Sequence, residues 1–149
     1  MNEKVIVKRR AELELKIESL AYGGMGVAKK DDFVIFVKGA IPGQIVNARV
    51  YKKKKGYAEA QTLNIVSESP NAVEPKCNHF YICSKIQNLS YEEQLKQKRN
   101  QVEDAFQRLG GFKEFKLKKV IGGNPNFNYR NKMEFTFSPH RWVLESEPE

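Results

Sequence analysis

A chain of 149 residues, 40% hydrophobic and 30% charged, has the composition of an ordinary globular protein and is long enough to bury one core or two small ones. Its net charge is +8, with 13 Lys+Arg against 8 Asp+Glu in residues 1–70 and 13 against 10 in residues 71–149, a balance that points to polyanionic partners. No apolar run approaches the ~20 residues of a membrane span, residues 1–10 lack the apolar core of a secretion signal, and two cysteines give no disulfide framework, so the expected compartment is the cytoplasm.

Polar and apolar residues alternate over 12–18, placing Leu13, Leu15 and Ile17 on one face of a half-buried strand. Tyr22-Gly23-Gly24-Met25-Gly26 breaks that pattern. Residues 33–37 are a compact apolar run bounded by Asp31-Asp32 and Lys38-Gly39, hence a second strand, and Pro42-Gly43 is a turn signal. The next strand is expected over 45–51, with Val46, Ala48 and Val50 alternating against Asn47, Arg49 and Tyr51, and another over 58–66. Four or five short strands in about 65 residues, with no crossover helix, predict a small antiparallel barrel of the OB or SH3 kind.

Residues 67–75 contain two prolines and read as a linker. A helix follows. Ser90 can cap it, Glu93 stands at capping-box spacing, and Gly110-Gly111 ends it; Tyr91, Leu95, Val102, Phe106 and Leu109 fall on one face. A strand over 117–121, a Gly/Asn/Pro turn over 122–128 and a hairpin over 132–144, anchored by Trp142, complete a partial α+β unit short of sheet partners. The expected domains are a barrel over 5–67 and this partial unit over 73–149.

Between two of the barrel strands, Lys52-Lys53-Lys54-Lys55 is fenced by Tyr51 and Tyr57. Four ammonium groups repel one another unless an anion lies across them, and flat rings beside them suit phosphates with stackable bases. RNA is therefore the expected partner, met by Lys52, Lys53, Lys54 and Lys55 with Lys38, Arg49 and Tyr57 in support. The other reading of the run is a solvated hairpin tip. Tyr22 and Tyr57 suit base stacking and barrel structure equally, while Phe33 and Phe36 are expected in the core or at the rim. His79 and His140 are isolated and carry no expected catalysis.

Gly24-Met25-Gly26-Val27-Ala28, residues 33–43 and the lysine run together resemble a TRAM domain, a small RNA-binding β-barrel. The order continues with Pro75-Lys76-Cys77-Asn78-His79-Phe80-Tyr81-Ile82-Cys83, Leu89-Ser90-Tyr91-Glu92-Glu93-Gln94-Leu95 and Tyr129-Arg130-Asn131-Lys132-Met133-Glu134-Phe135. Over nearly its whole length the chain is similar to the N-terminal region of the bacterial RNA (uracil-5-)-methyltransferases. That resemblance implies an RNA-binding barrel, the start of a central domain, and a doubly wound S-adenosylmethionine domain that this chain lacks. The chain alone is expected to be inactive and to bind no cofactor. The implied substrate is RNA, ribosomal ahead of transfer RNA; a freestanding TRAM-type RNA-binding protein is the alternative.

By the same resemblance Arg130 and Lys132 lie near the substrate side, although a charged face paired with Glu134 or solvent explains them as well. Many members carry a Cys-x5-Cys-x2-Cys run for a [4Fe–4S] cluster. Here Cys77 and Cys83 keep the first spacing, but Ile86 stands at the third ligand position and offers no lone pair. The expectation is no cluster and no metal, with two partly buried cysteines; a Cys77/His79/Cys83 zinc site lacks a fourth ligand.

Overall fold

Period-two alternation drives six strands into one sheet, because each strand has only one face to bury. The computed structural model describes residues 7–77, 80, 84–129, 134 and 137–140. The strands are β1 (Glu12–Lys16), β2 (Ser19–Leu20), β3 (Gly26–Lys30), β4 (Phe33–Lys38), β5 (Ile45–Lys53) and β6 (Tyr57–Ser67). Their order across the sheet is β1-β5-β6-β4-β3-β2; β4 and β6 run parallel and the other pairs antiparallel.

Strands β1 and β2 are two halves of one bent strand, and the bend closes the barrel. The Ile17 N–H donates to Gln44 O (2.9 Å) on the β5 side, and the next amide, Glu18 N–H, donates to Val27 O (2.8 Å) on the β3 side. The bent strand thus pairs with the second and fourth strands while the third runs parallel to the fifth, the arrangement of an OB barrel. Asp31 and Asp32 form a two-residue turn between β3 and β4, both with positive φ (47° and 64°), as a type I′ hairpin requires.

Leu15, Ile17, Ile35, Val37, Val46 and Val50 fill the interior together with four alanines, Ala28, Ala48, Ala58 and Ala60, none of which retains exposed surface. Six large side chains fit inside so narrow a barrel because the facing positions are small. Gly26 is required for a related reason: a Cβ there would meet Ala40 O at 2.9 Å. The strands flanking the lysines are longer than the alternation pattern suggests, so Lys52 and Lys53 belong to β5 and only Lys54, Lys55 and Gly56 form the turn.

Behind the barrel, helix α1 (Tyr91–Asp104) continues through a π-helical turn (Ala105–Leu109) to Gly110-Gly111. Ser90 is at the N-cap, as expected, but its side chain makes no cap bond. Glu93 instead accepts from Gln97 Nε2 (2.8 Å). The expected apolar stripe is not the docking face. Glu93 and Gln97 are the buried residues of α1, whereas Val102, Phe106 and Leu109 stand exposed. The cause is the barrel end that α1 meets: Leu20 and Ala21 present backbone groups with no ladder partner, and amide side chains satisfy them. Leu20 N–H donates to Gln97 Oε1 (3.1 Å), and Gln101 Nε2 donates to Leu20 O (3.1 Å) and Ala21 O (3.2 Å).

A second small core of Leu20, Ile41 and Leu89, with Ala72 and Ile86 against it, joins barrel and helix. The expected strand over 117–121 is absent; that segment has no regular structure, and Ile121 is exposed. Gly123 N–H returns to α1, donating to Tyr91 Oη (2.7 Å). Most of the expected hairpin over 132–144, Trp142 included, lies outside the described residues. No described helix is long and apolar enough to cross a membrane.

Candidate nucleic-acid interface

Alternation that sends Ile35 and Val37 inward sends Val34, Phe36 and Lys38 to the outer face of β4. Registers then fix two rows across the sheet. Val27 on β3 lies beside Phe36, and Phe36 beside Glu59 on β6; Lys29 lies beside Val34, and Val34 beside Tyr57. The half-buried Tyr57 ring meets Phe36 edge-on, with centroids 5.6 Å apart at 74°. The outer face therefore carries a low apolar platform of Phe36, Tyr57, Val27 and Val34, with Lys29 and Lys38 at its margins. Phe33 does pack on the core, but Phe36 does not. Its outward position was available from parity with Ile35 and Val37, since those two must be buried.

The expected cations divide into two groups. Arg49 Nη2 pairs with Glu12 Oε1 at 2.7 Å, and Lys52 Nζ with Glu59 Oε1 at 2.6 Å. A register shift between Val50 and Lys52 brings Tyr51 alongside as well, and its hydroxyl donates to Glu59 Oε2 (3.0 Å). The Lys52 ammonium, then the Tyr51 hydroxyl, hold the Glu59 carboxyl below its ordinary range, and Glu59 in turn raises Lys52. Burial, reinforced by the Glu59 hydrogen bond, pushes the Tyr51 phenol up. Lys38, Lys53, Lys54 and Lys55 form no ion pair among the described residues. Lys54 N–H donates to Tyr57 O (2.8 Å), which fixes the turn that presents its side chain beside Tyr57.

An OB barrel contacts oligonucleotides through its second and third strands and through the loops after its first and fourth. Those elements here are β3, β4, residues 21–25 and residues 54–56. The aromatic platform thus lies between the lysine turn at one end and Tyr22 at the other. Arg130 and Lys132 lie outside the described residues, as do His79 and Cys83. Cys77 is exposed rather than partly buried, with its N–H on Gln87 Oε1 at 3.0 Å. Ile86, at the third ligand position of the resembled cluster motif, packs on the Leu20–Ile41–Leu89 core. Lys116, Lys118 and Lys119 follow α1 without regular structure.

Residues 7–63 match the TRAM domain family. An uncharacterized RNA methyltransferase of Porphyromonas gingivalis is 39% identical over 135 residues, 89% of this chain and 29% of that protein. One from Bacteroides thetaiotaomicron is 38% identical over 130 residues, 86% of this chain and 29% of its own length. A third, from Clostridium tetani, is 38% identical over 136 residues, with 90% and 29% covered. The chain spans about three-tenths of the length of these relatives. The solution structure of a conserved Methanococcus maripaludis protein is 36% identical, covers 39% of this chain and 83% of its own, and has a TM-score of 0.38. The chain therefore carries a TRAM domain at residues 7–63 and is similar, over nearly all of its length, to about three-tenths of the length of these proteins, named as uncharacterized RNA methyltransferases.

Proposed function

We propose that this chain is the RNA-holding portion of an S-adenosylmethionine-dependent RNA (uracil-5-)-methyltransferase, with ribosomal RNA the first substrate to test and transfer RNA the second. A single strand lies along β3 and β4. Lys53, Lys54 and Lys55 neutralise its phosphates at one end, and Phe36 and Tyr57 offer apolar contact to its bases. Single-stranded segments are the natural target, since their unstacked bases are open to aromatic side chains. The observation that carries this reading is Lys54, without an ion pair among the described residues, bonded by its backbone to Tyr57 of the aromatic pair on the OB face, with Lys53 and Lys55 on either side of it in the chain. Similarity that continues well beyond residue 63 favours it over a freestanding RNA-binding barrel.

Methyl transfer falls to residues outside this chain. Bound there, S-adenosylmethionine supplies the methyl group. The described residues do not fit that cofactor: their sheet has one parallel pair, β4–β6, and Gly122-Gly123 opens no helix that could cradle a nucleotide. This chain's part is to bind and orient.

The test is a titration of labelled single-stranded RNA at several salt concentrations. Replacing Lys53, Lys54 and Lys55 together by alanine should weaken binding and flatten the log K against log salt slope by about 2, from roughly 0.7 per phosphate contact. An unchanged slope returns the lysines to a solvated tip.

A further inference from the structure

Tyr22 is the most exposed aromatic side chain of the barrel, at 95% of its full surface, yet the residues on either side of it are held by hydrogen bonds. Ala21 N–H donates to Met25 O (2.8 Å) and Gly24 N–H to Ala21 O (3.0 Å), closing a tight turn in which Gly23 and Gly24 take φ of 90° and 85°. From outside the barrel, α1 grips the strand just before Tyr22: Gln97 accepts from Leu20 N–H, and Gln101 donates to Leu20 O and Ala21 O. Gly24 rests against Lys85, whose Cβ would lie 3.2 Å from a Cβ at Gly24. A large ring left wholly in water gains nothing for the fold, while fixing it in advance removes the ordering penalty of using it in binding.

We propose that Tyr22 is a base-stacking residue, and that Gln97 and Gln101 are positioning residues that hold it ready. The inference rests on the RNA reading above and extends it. Tyr22 lies at the end of the OB face opposite Lys54 and Lys55, so phosphates engage one end while a base stacks at the other. Between them β4 spans about 17–20 Å, enough for several nucleotides of a single strand. On this reading the helix behind the barrel is part of the binding apparatus without touching RNA.

The experiment uses the full 149-residue chain and a mixed-sequence single-stranded RNA of about 12 nucleotides, a length within the site sizes of OB folds. Parent, Tyr22→Phe, Tyr22→Ala, Gln101→Met and the Tyr22→Ala/Gln101→Met double variant are compared by anisotropy across salt concentrations. Tyr22→Ala should bind roughly 5- to 100-fold more weakly with its salt slope unchanged, because stacking releases no counterions. Tyr22→Phe should stay near the parent. Gln101→Met should weaken binding in the parent and have little further effect once Tyr22 is alanine. Because the Tyr22 side chain is almost wholly exposed, thermal melts of its variants should overlay the parent. If Tyr22→Ala binds like the parent while the Lys53/Lys54/Lys55 variant weakens, the stacking role falls and the RNA reading stands. If the parent binds no RNA, both fall. Equal losses from Gln101→Met in both backgrounds would remove the positioning role alone.

Discussion

Lys52 and Glu59 face each other across β5 and β6 with Nζ and Oε1 2.6 Å apart, so the first of the four clustered lysines arrives already neutralised. The lysines available to a polyanion are Lys53, Lys54 and Lys55, and Glu59 sets the limit. Replacing Glu59 by glutamine should free Lys52, tighten RNA binding and steepen the salt slope by about 0.7 if Lys52 then reaches a phosphate. Unchanged affinity and slope would show that Lys52 points away from the bound strand.

The same pair gives a pH signature. Lys52 and Tyr51 hold the Glu59 carboxyl below its ordinary value of 4.5, so its stabilising contribution is complete above that value. It is lost as pH falls through the lowered one. Lys52 has the opposite sign: its raised value keeps the contribution complete at and below the ordinary lysine range and loses it only in strong alkali. Melts of the parent and of Glu59→Gln should therefore differ between neutral pH and pH 5 and converge below about pH 4. A difference that persists undiminished in acid would assign the effect to packing.

Overpacking is the sharpest test of the core. Ala60 has no exposed surface and lies beside Val37 on β4 and Val50 on β5. Ala60→Leu adds three methylene-sized groups with nowhere to go and should cost at least about 1–3 kcal/mol, read as a lower denaturation midpoint. Ala60→Gly should instead lose stability by backbone freedom of about 1 kcal/mol while leaving the barrel intact.

Much of this barrel was legible because alternation is its organising force: Leu13, Leu15 and Ile17, the 33–37 run, and Val46, Ala48 and Val50 all declare which face is buried. β3 was not. Gly26-Val27-Ala28-Lys29-Lys30 has two weakly apolar residues and two charges, and it becomes a strand because β2 and β4 supply its hydrogen bonds. The helix was legible in position and misleading in orientation. Its apolar positions promised a greasy interface, whereas the barrel end offers backbone groups outside the strand ladder, which polar side chains answer. Of the site, the lysine run was plain in the sequence. That Arg49 and Lys52 are paired, and that Phe36 meets Tyr57, depends on which strands are neighbours, and local sequence does not encode that.

Gln44 carries a similar polar obligation inside the barrel end. It is 1% exposed; its Oε1 accepts from Ile41 N–H (2.9 Å) and its Nε2 donates to Glu68 Oε1 (2.7 Å). Gln44→Leu keeps the volume but strands the Ile41 amide, and should lower stability by about 1–3 kcal/mol. Gln44→Glu can still accept from Ile41 but sets two carboxylates together, so it too should lower the denaturation midpoint, and a midpoint equal to the parent's would rule out that repulsion.

Leu89 decides whether the helix and the barrel fold as one unit. It is 1% exposed and meets Leu20 and Ile41 where the two regions join, so Leu89→Ala removes packing from the junction and little from the barrel interior. The expected loss is about 2–5 kcal/mol, concentrated at the joint. Hydrogen exchange locates it, because the Leu20 amide is bonded to Gln97 and becomes exchangeable whenever α1 lifts away. In Leu89→Ala that amide should exchange at least 10-fold faster, while the amides of Val50, bonded to Ala11 O, and of Ala60, buried within β6, keep their parent rates. Uniform acceleration at all three would mean that barrel and helix open together, and the junction would then be part of a single cooperative core.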